Sequence, residues 1–336
     1  MQTHNAAYRL QSWVLATGIL LLAVKLFAWY LTASNAILTD ALESLINVGA
    51  GAFALYSLHY AALPRDKNHP YGHGKIEFLS SGLEGIFIAM AGAAMSLKAI
   101  YNLWYPQPVA HLDWGLVLTL GTGLVNGLMG WLLLRQGRRQ HSQVLAGEGQ
   151  HLLSDAWSSL GLVVGLGIVA VTDWLWMDQV LTLLLGVFII YTGVRIVRGS
   201  LGGVLDETDE VLLHQLAAIL QRLRRDCWID FHNLRIIRYG AAVHIDCHLT
   251  LPWYLSLAEA HAEVKAVEQM LRRELTEDLE CFIHADPCRP TACSICALAD
   301  CPKRKHPFGG ERVLWTAGNL RENQYHTEAI SSKTSS

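Results

Sequence analysis

Residues 151–172 read HLLSDAWSSLGLVVGLGIVAVT, an imidazole and a carboxylate four residues apart at the head of a run apolar enough to cross a lipid bilayer. At helical spacing His151 and Asp155 share one face, one turn apart. An ionisable side chain in the hydrocarbon layer costs at least a few kcal/mol, so such a pair is functional or bonded to a partner.

Outward from this stretch, other apolar runs reach the roughly 20 residues that a membrane helix needs. They give spans at about 12–33, 36–62, 77–104, 113–135, 146–172 and 175–199. Of the 336 residues, 52% are hydrophobic and 16% charged, against about a quarter charged in a soluble domain; mean hydropathy is +0.26. The deficit is local, with 21 charged residues in 1–200 and 34 in 201–336. A membrane part therefore precedes a water-soluble part, which excludes a single soluble domain and a disordered chain. A net charge of −3 offers no phosphate-neutralising surplus, so no nucleic-acid partner is expected.

Basic residues set the orientation. Arg9 precedes span one; Arg65, Lys67 and Lys75 follow span two; Arg135, Arg138 and Arg139 follow span four; Arg195 and Arg198 close span six. The alternate connections, around Thr32–Asn35, Tyr105–Asp113 and Thr172–Met177, contain no Lys or Arg. Both termini are expected in the cytoplasm. Lys25 and Lys98, inside spans one and three, are expected to snorkel toward an interface. The first run is too long for a secretion signal and reads as a retained span. Small residues at four-residue spacing (Gly85, Ala89, Ala93; Gly123, Gly127) are expected to serve packing within the chain.

Span two carries Asp40, Glu43 and Asn47. Glu43 and Asn47 are also four apart, so this face and that of His151 and Asp155, brought together, present two carboxylates, an amide oxygen and an imidazole. That set suits a divalent transition metal; the competing reading is a hydrogen-bonded knot between two helices. Asp40, one turn outside, is a candidate gate or orienting residue. Asp66, His69 and His73 follow at D-x2-H-x3-H spacing, which suits zinc with three protein ligands or a turn held by Pro and Gly.

From Asp206 the pattern changes: a helix at 207–225, strands at 232–239 and 243–251, a helix at 256–275 and a strand at 280–285. This order suits a small open α+β sheet with helices on one face. Cys288, Cys293, Cys296 and Cys301 then follow as C-x4-C-x2-C-x4-C. A reducing cytoplasm argues against disulfides, leaving a structural tetrahedral zinc or an iron–sulfur cluster; the fourth cysteine comes early for the latter. Cys227, Cys247 and Cys281 read as ordinary buried cysteines. The Cys-rich segment spans 288–308, and the polar residues 309–336 are expected to be disordered. With no His-Glu-x-x-His or G-x-S-x-G motif, an enzyme is not expected. A membrane-anchored metal or redox sensor is the alternative to a transporter.

The loop DKNHPYGHGKIE at 66–77, the HLLSD of the fifth span and the carboxylate-bearing second span resemble the cation diffusion facilitators, over about Leu10 to Pro287. The resemblance implies a homodimer of six-span protomers (residues 1–205) in the bacterial inner membrane. Each protomer would exchange cytoplasmic divalent metal for protons by alternating access and carry a cytoplasmic ferredoxin-like domain (206–287). It also implies a peripheral metal site at Asp66, His69 and His73, and a charge interlock of Lys75 with Asp206 that ties the protomers. His232, His248, His261, His284 and Asp286 match a metal site between the cytoplasmic domains; His244 has no counterpart and is expected at the surface. The family's usual residue is Asp or His at the place of Glu43 and Asp at that of Asn47, so this ligand set carries −2 rather than −3. Zinc is the first expectation for the ion, with iron(II), cobalt(II) and manganese(II) beside it.

Overall fold

The computed structural model describes residues 2–32, 35–105, 112–172, 175–240, 242–275 and 278–326. The chain divides into two compact units, Met1–Leu205 and Asp206–Ser336.

The first unit is six helices: α1 (Gln2–Thr32), α2 (Asn35–Ala61), α3 (Ile76–Trp104), α4 (Leu112–Gln140), α5 (Gln143–Thr172) and α6 (Leu175–Val204). Among the described residues three segments, Ala7–Phe27, Ile76–Trp104 and Gln179–Val204, are long and apolar enough to cross a membrane. The other three helices each have at least 27 residues, about 40 Å of helix. The unit is apolar on its outside: Trp13, Leu20, Phe27, Leu124 and Leu184 are all more than 60% exposed. Its apolar interior is small, centred on Ala7, Val14, Ala54, Leu58, Leu133, Val144 and Leu145. Such an inversion suits lipid as the surrounding solvent.

Close backbone approach holds the helices together. A Cβ at Gly85 would stand 2.9 Å from the Gly193 carbonyl, and one at Gly92 2.8 Å from that of Gly186, so α3 and α6 meet along a glycine seam. Gly123 faces Ser159 in the same way, 2.7 Å from Cβ to Cβ, which places α4 against α5. Both small-residue stripes thus pack within the chain. Lys25 does not simply snorkel; its Nζ donates to Ser44 Oγ of α2 at 2.8 Å.

The second unit runs α7 (Glu210–Arg222), β1 (Asp230–Tyr239), β2 (Ala242–Leu251), α8 (Leu257–Glu274) and β3 (Asp278–Pro287), then a 3-10 turn at Pro290–Ser294. Asp209 caps α7 by accepting from the Leu212 amide at 3.0 Å, and Ser256 with Glu259 forms a capping box on α8. β2 is central, antiparallel to β1 and parallel to β3, with α8 as the crossover that a parallel pair needs. Leu212, Leu213, Leu216 and Leu220 of α7 and Val267 and Leu271 of α8 share one core with Phe231, Ile236, Ile245 and Leu249 of the sheet.

Two segments depart from what the sequence pattern predicts. The polar tail is packed as far as His326: Trp315, Ala317 and Leu320 enter the core, and the amides of Asn233 and Leu234 donate to the carbonyls of Glu322 and Leu320 at 2.8 Å. Trp315 stacks edge-on against Phe231 and lies under the Arg224 guanidinium. β1 is an edge strand whose amides need partners, and three apolar anchors suffice to hold a polar segment there. Residues 327–336 lie outside the described residues. His244 is buried, not at the surface, between Asp246 (3.1 Å) and Glu280 (3.5 Å).

Candidate metal sites

In the membrane unit, α2 and α5 bring Asn47, His151 and Asp155 together. The Asn47 amide donates to Asp155 Oδ2 at 3.1 Å, and its Oδ1 lies 3.1 Å from His151 Nε2. His151 Nε2 is 3.8 Å from Asp155 Oδ2. Ligands about 2.1 Å from a tetrahedral ion stand about 3.4 Å from one another, so His151 Nε2 lies near ligand spacing from both Asn47 Oδ1 and Asp155 Oδ2. Glu43 and Asp40 belong to α2, but their side chains fall outside the described residues.

Three acids in the same unit escaped the sequence reading. Glu77 and Glu84 of α3 and Glu148 of α5 are all buried; Glu77 Oε2 accepts from Ser142 Oγ at 2.7 Å. The rule that singled out Asp155, an acid within an apolar run, would have found Glu84 and Glu148.

The loop between α2 and α3 gathers Asp66, His69 and His73, with one ligand atom of each within 4.8 Å of the others. Asp66 accepts from the amides of Asn68 (2.8 Å) and His69 (2.7 Å), folding the loop back on itself. The His69 amide leads in holding its carboxyl below the ordinary value, so it is a ready anionic ligand. His69 Nδ1 and His73 Nε2 lie 3.1 and 3.3 Å from its two oxygens. Gly72, at φ +90°, makes the turn that returns His73 to this point. Lys75 Nζ donates to the Val204 carbonyl at 3.5 Å; Asp206 opens the second unit.

In the second unit, strand register does what sequence distance conceals. His232 pairs with His248 across β1 and β2, and His248 with His284 across β2 and β3. Three imidazoles thus stand in one row, with ring centres 5.1 and 4.8 Å apart. Asp286, two residues beyond His284 and so on the same face, reaches all three: 2.8 Å to His248, 3.5 Å to His232 and 3.3 Å to His284. Burial pulls His232 below its ordinary pKa, against the opposing pull of Asp230 and Asp286, and favours the neutral form that ligates metal. His261, exposed on α8, is not brought to this set within one chain.

Cys288, Cys293, Cys296 and Cys301 line one cavity of about 350 Å³. Arg304 donates to the carbonyls of Cys293, Cys296 and Leu298 at 2.6–3.1 Å, and the Lys305 amide lies 3.5 Å from Cys293 Sγ. Burial raises the Cys288 thiol pKa, and the other three thiols add to the rise. The four sulfurs do not form a cluster as tight as the two histidine–carboxylate sets. Cys247 is buried in the core, with Cys227 and Cys281 packed against it.

A helical unit with an apolar exterior that gathers Asn47, His151 and Asp155, followed by an α+β unit that gathers three histidines and an aspartate, is the arrangement expected of a membrane metal-ion transporter. The family model of the cation efflux transmembrane domain matches residues 11–203, and that of the cation efflux protein cytoplasmic domain matches residues 208–288. The chain belongs to the cation diffusion facilitator family, whose members are transporters rather than enzymes. Relatives include an uncharacterized transporter, sll1263, of Synechocystis sp., 32% identical over 83% of this chain and 94% of its own. The cation-efflux pump FieF of Shigella flexneri is 29% identical over 81% and 90%, as is FieF of Escherichia coli O1:K1.

Proposed function

We propose that this transporter exports a divalent transition metal from the cytoplasm in exchange for protons. All six long helices cross the bacterial inner membrane, both termini are cytoplasmic, and the working unit is a homodimer. The observation that carries this reading is the contact of Asn47, His151 and Asp155 inside a lipid-facing helical unit. Glu43, four residues from Asn47 on α2, completes the set, and Asp40 gates or orients it. In the inward-facing state these residues take the ion from the cytoplasm; rocking of the helices then opens them outward. Protons compete with the ion because imidazole and carboxylate bind metal only when deprotonated.

Asp66, His69 and His73 form a peripheral site near the cytoplasmic surface. His232, His248, His284 and Asp286 bind metal in the cytoplasmic domain, with His261 contributing at the face of a second copy, and Lys75 with Asp206 ties the protomers. Metal that binds one arrangement of the paired cytoplasmic domains better than another biases transport. Zinc, iron(II), cobalt(II) and manganese(II) all suit a site of one imidazole and oxygen ligands. The cysteine cavity holds a structural zinc: its buried thiols become thiolates most readily when a cation shares the cavity, and the early fourth cysteine disfavours an iron–sulfur cluster.

The test is metal-driven proton flux in proteoliposomes of the full chain. Asp155→Ala is expected to abolish flux while the dimer stays folded; flux at the wild-type level rejects the site.

A further inference from the structure

The membrane unit contains a second group of potential ligands that the transport set does not use. Glu84 and Glu148 are 2% and 5% exposed, and their carboxyl groups lie against each other. Among the described residues no partner satisfies either oxygen of Glu84 or Oε2 of Glu148. Glycines leave them room: a Cβ at Gly147 would stand 2.3 Å from Glu84 Oε2, and one at Gly51 3.3 Å from Glu148 Oε1. Gln11 of α1, fully buried, donates to the Gly51 carbonyl at 3.3 Å and bonds Glu148, while its own Oε1 lacks a donor. Two carboxyl groups in contact and out of water need a proton or a cation between them, and a divalent cation can displace the proton when it binds.

Their position gives that cation a direction of travel. Glu148 precedes His151 by about one turn of α5. The first residues of α3 and the approach to α5 lie side by side, joined through Glu77 and Ser142; α3 follows the basic loop at Arg65–Lys75 and α5 follows the basic end of α4 at Arg135–Arg139. In the proposed topology those ends face the cytoplasm, so the Glu84–Glu148 pair stands between the cytoplasm and the transport ligands.

We infer that Glu84 and Glu148, with the buried Gln11 amide donating beside them, form a second divalent-cation site in the membrane unit, a station the ion occupies before it reaches Asn47, His151 and Asp155. The inference rests on the transport reading. Its ligands are all oxygen, a set that suits manganese(II) and other hard ions, whereas the next site adds an imidazole.

Manganese binding to the full chain in detergent, counted by electron paramagnetic resonance at neutral pH, tests it. Glu84→Gln and Glu148→Gln are each expected to lose one bound manganese per chain, and Asp155→Ala a different one, so that Glu84→Gln with Asp155→Ala loses two. Either glutamine supplies a donor to the remaining carboxylate, which keeps the fold, and a melting curve verifies it. An unchanged count in both glutamine variants overturns the station and leaves the transport site standing. An unchanged count in Asp155→Ala alone overturns the transport site instead.

Discussion

Asn47→Asp is the substitution in which the geometry of the proposed transport site makes its sharpest demand. The Asn47 amide donates to Asp155 Oδ2 at 3.1 Å; the substitution deletes that donor and sets a second negative charge in its place. Two unit charges at that separation repel by about 5 kcal/mol at an effective dielectric of 20. A divalent ion between them turns the repulsion into two attractive contacts. The ion-free protein should therefore lose stability and the metal-loaded protein gain it. Even a quarter of the full term, about 1.4 kcal/mol, is a tenfold change in affinity. The assay pairs zinc and manganese affinities of the detergent-solubilised full chain with melting curves of the ion-free and loaded forms, and flux in proteoliposomes ranks the transported ions. The expected result is affinity at least tenfold tighter, a wider gap between the two melting temperatures, and an altered ion order. Equal affinities and equal melting in both states would show that residue 47 does not touch the ion.

Two further outcomes follow from the cytoplasmic unit. Replacing Cys293 and Cys296 with serine should lower bound zinc by one ion per chain and remove the thiolate charge-transfer bands of the cobalt-loaded protein; an unchanged cobalt spectrum refutes thiolate ligation. Partial burial raises the Asp209 carboxyl, but the Leu212 amide and the Arg238 guanidinium, 2.7 Å away, outweigh it and hold the group below its ordinary pKa. Asp209 therefore stabilises the fold above its unfolded pKa of about 4 and loses that contribution as pH falls through its folded pKa. Asp209→Asn, which keeps a good helix cap, should flatten the acid-side decline of stability by about 1 kcal/mol, read by denaturant titration from pH 5 to 3; an unchanged slope would show that the pair is inert.

Much of the site was legible because its spacing is local. His151 with Asp155, and Asp66 with His69 and His73, sit within single turns or one short loop, where residue spacing sets the shared face. Glu84 and Glu148 carried the same signal, an acid in an apolar run, but they lie 64 residues apart with no motif to pair them. His232, His248 and His284 become a row only through two strand registers. Their sequence separations of 16 and 36 residues say nothing of that alignment. The tail was misjudged because averaging over polar residues hid Trp315, Ala317 and Leu320.

The residue pattern along the chain already gave the division into an apolar and a more polar unit, the order of helices and strands, and the shared helix face of His151 and Asp155. These follow from solvent partition and backbone periodicity, which act residue by residue along the chain. Only the tertiary structure decided that Asn47 meets Asp155, that Glu84 meets Glu148, that His261 stays apart from the other histidines within one chain, and that residues 311–326 cover β1. Those outcomes depend on close backbone approach between helices and on register between strands, and both are properties of elements distant in sequence.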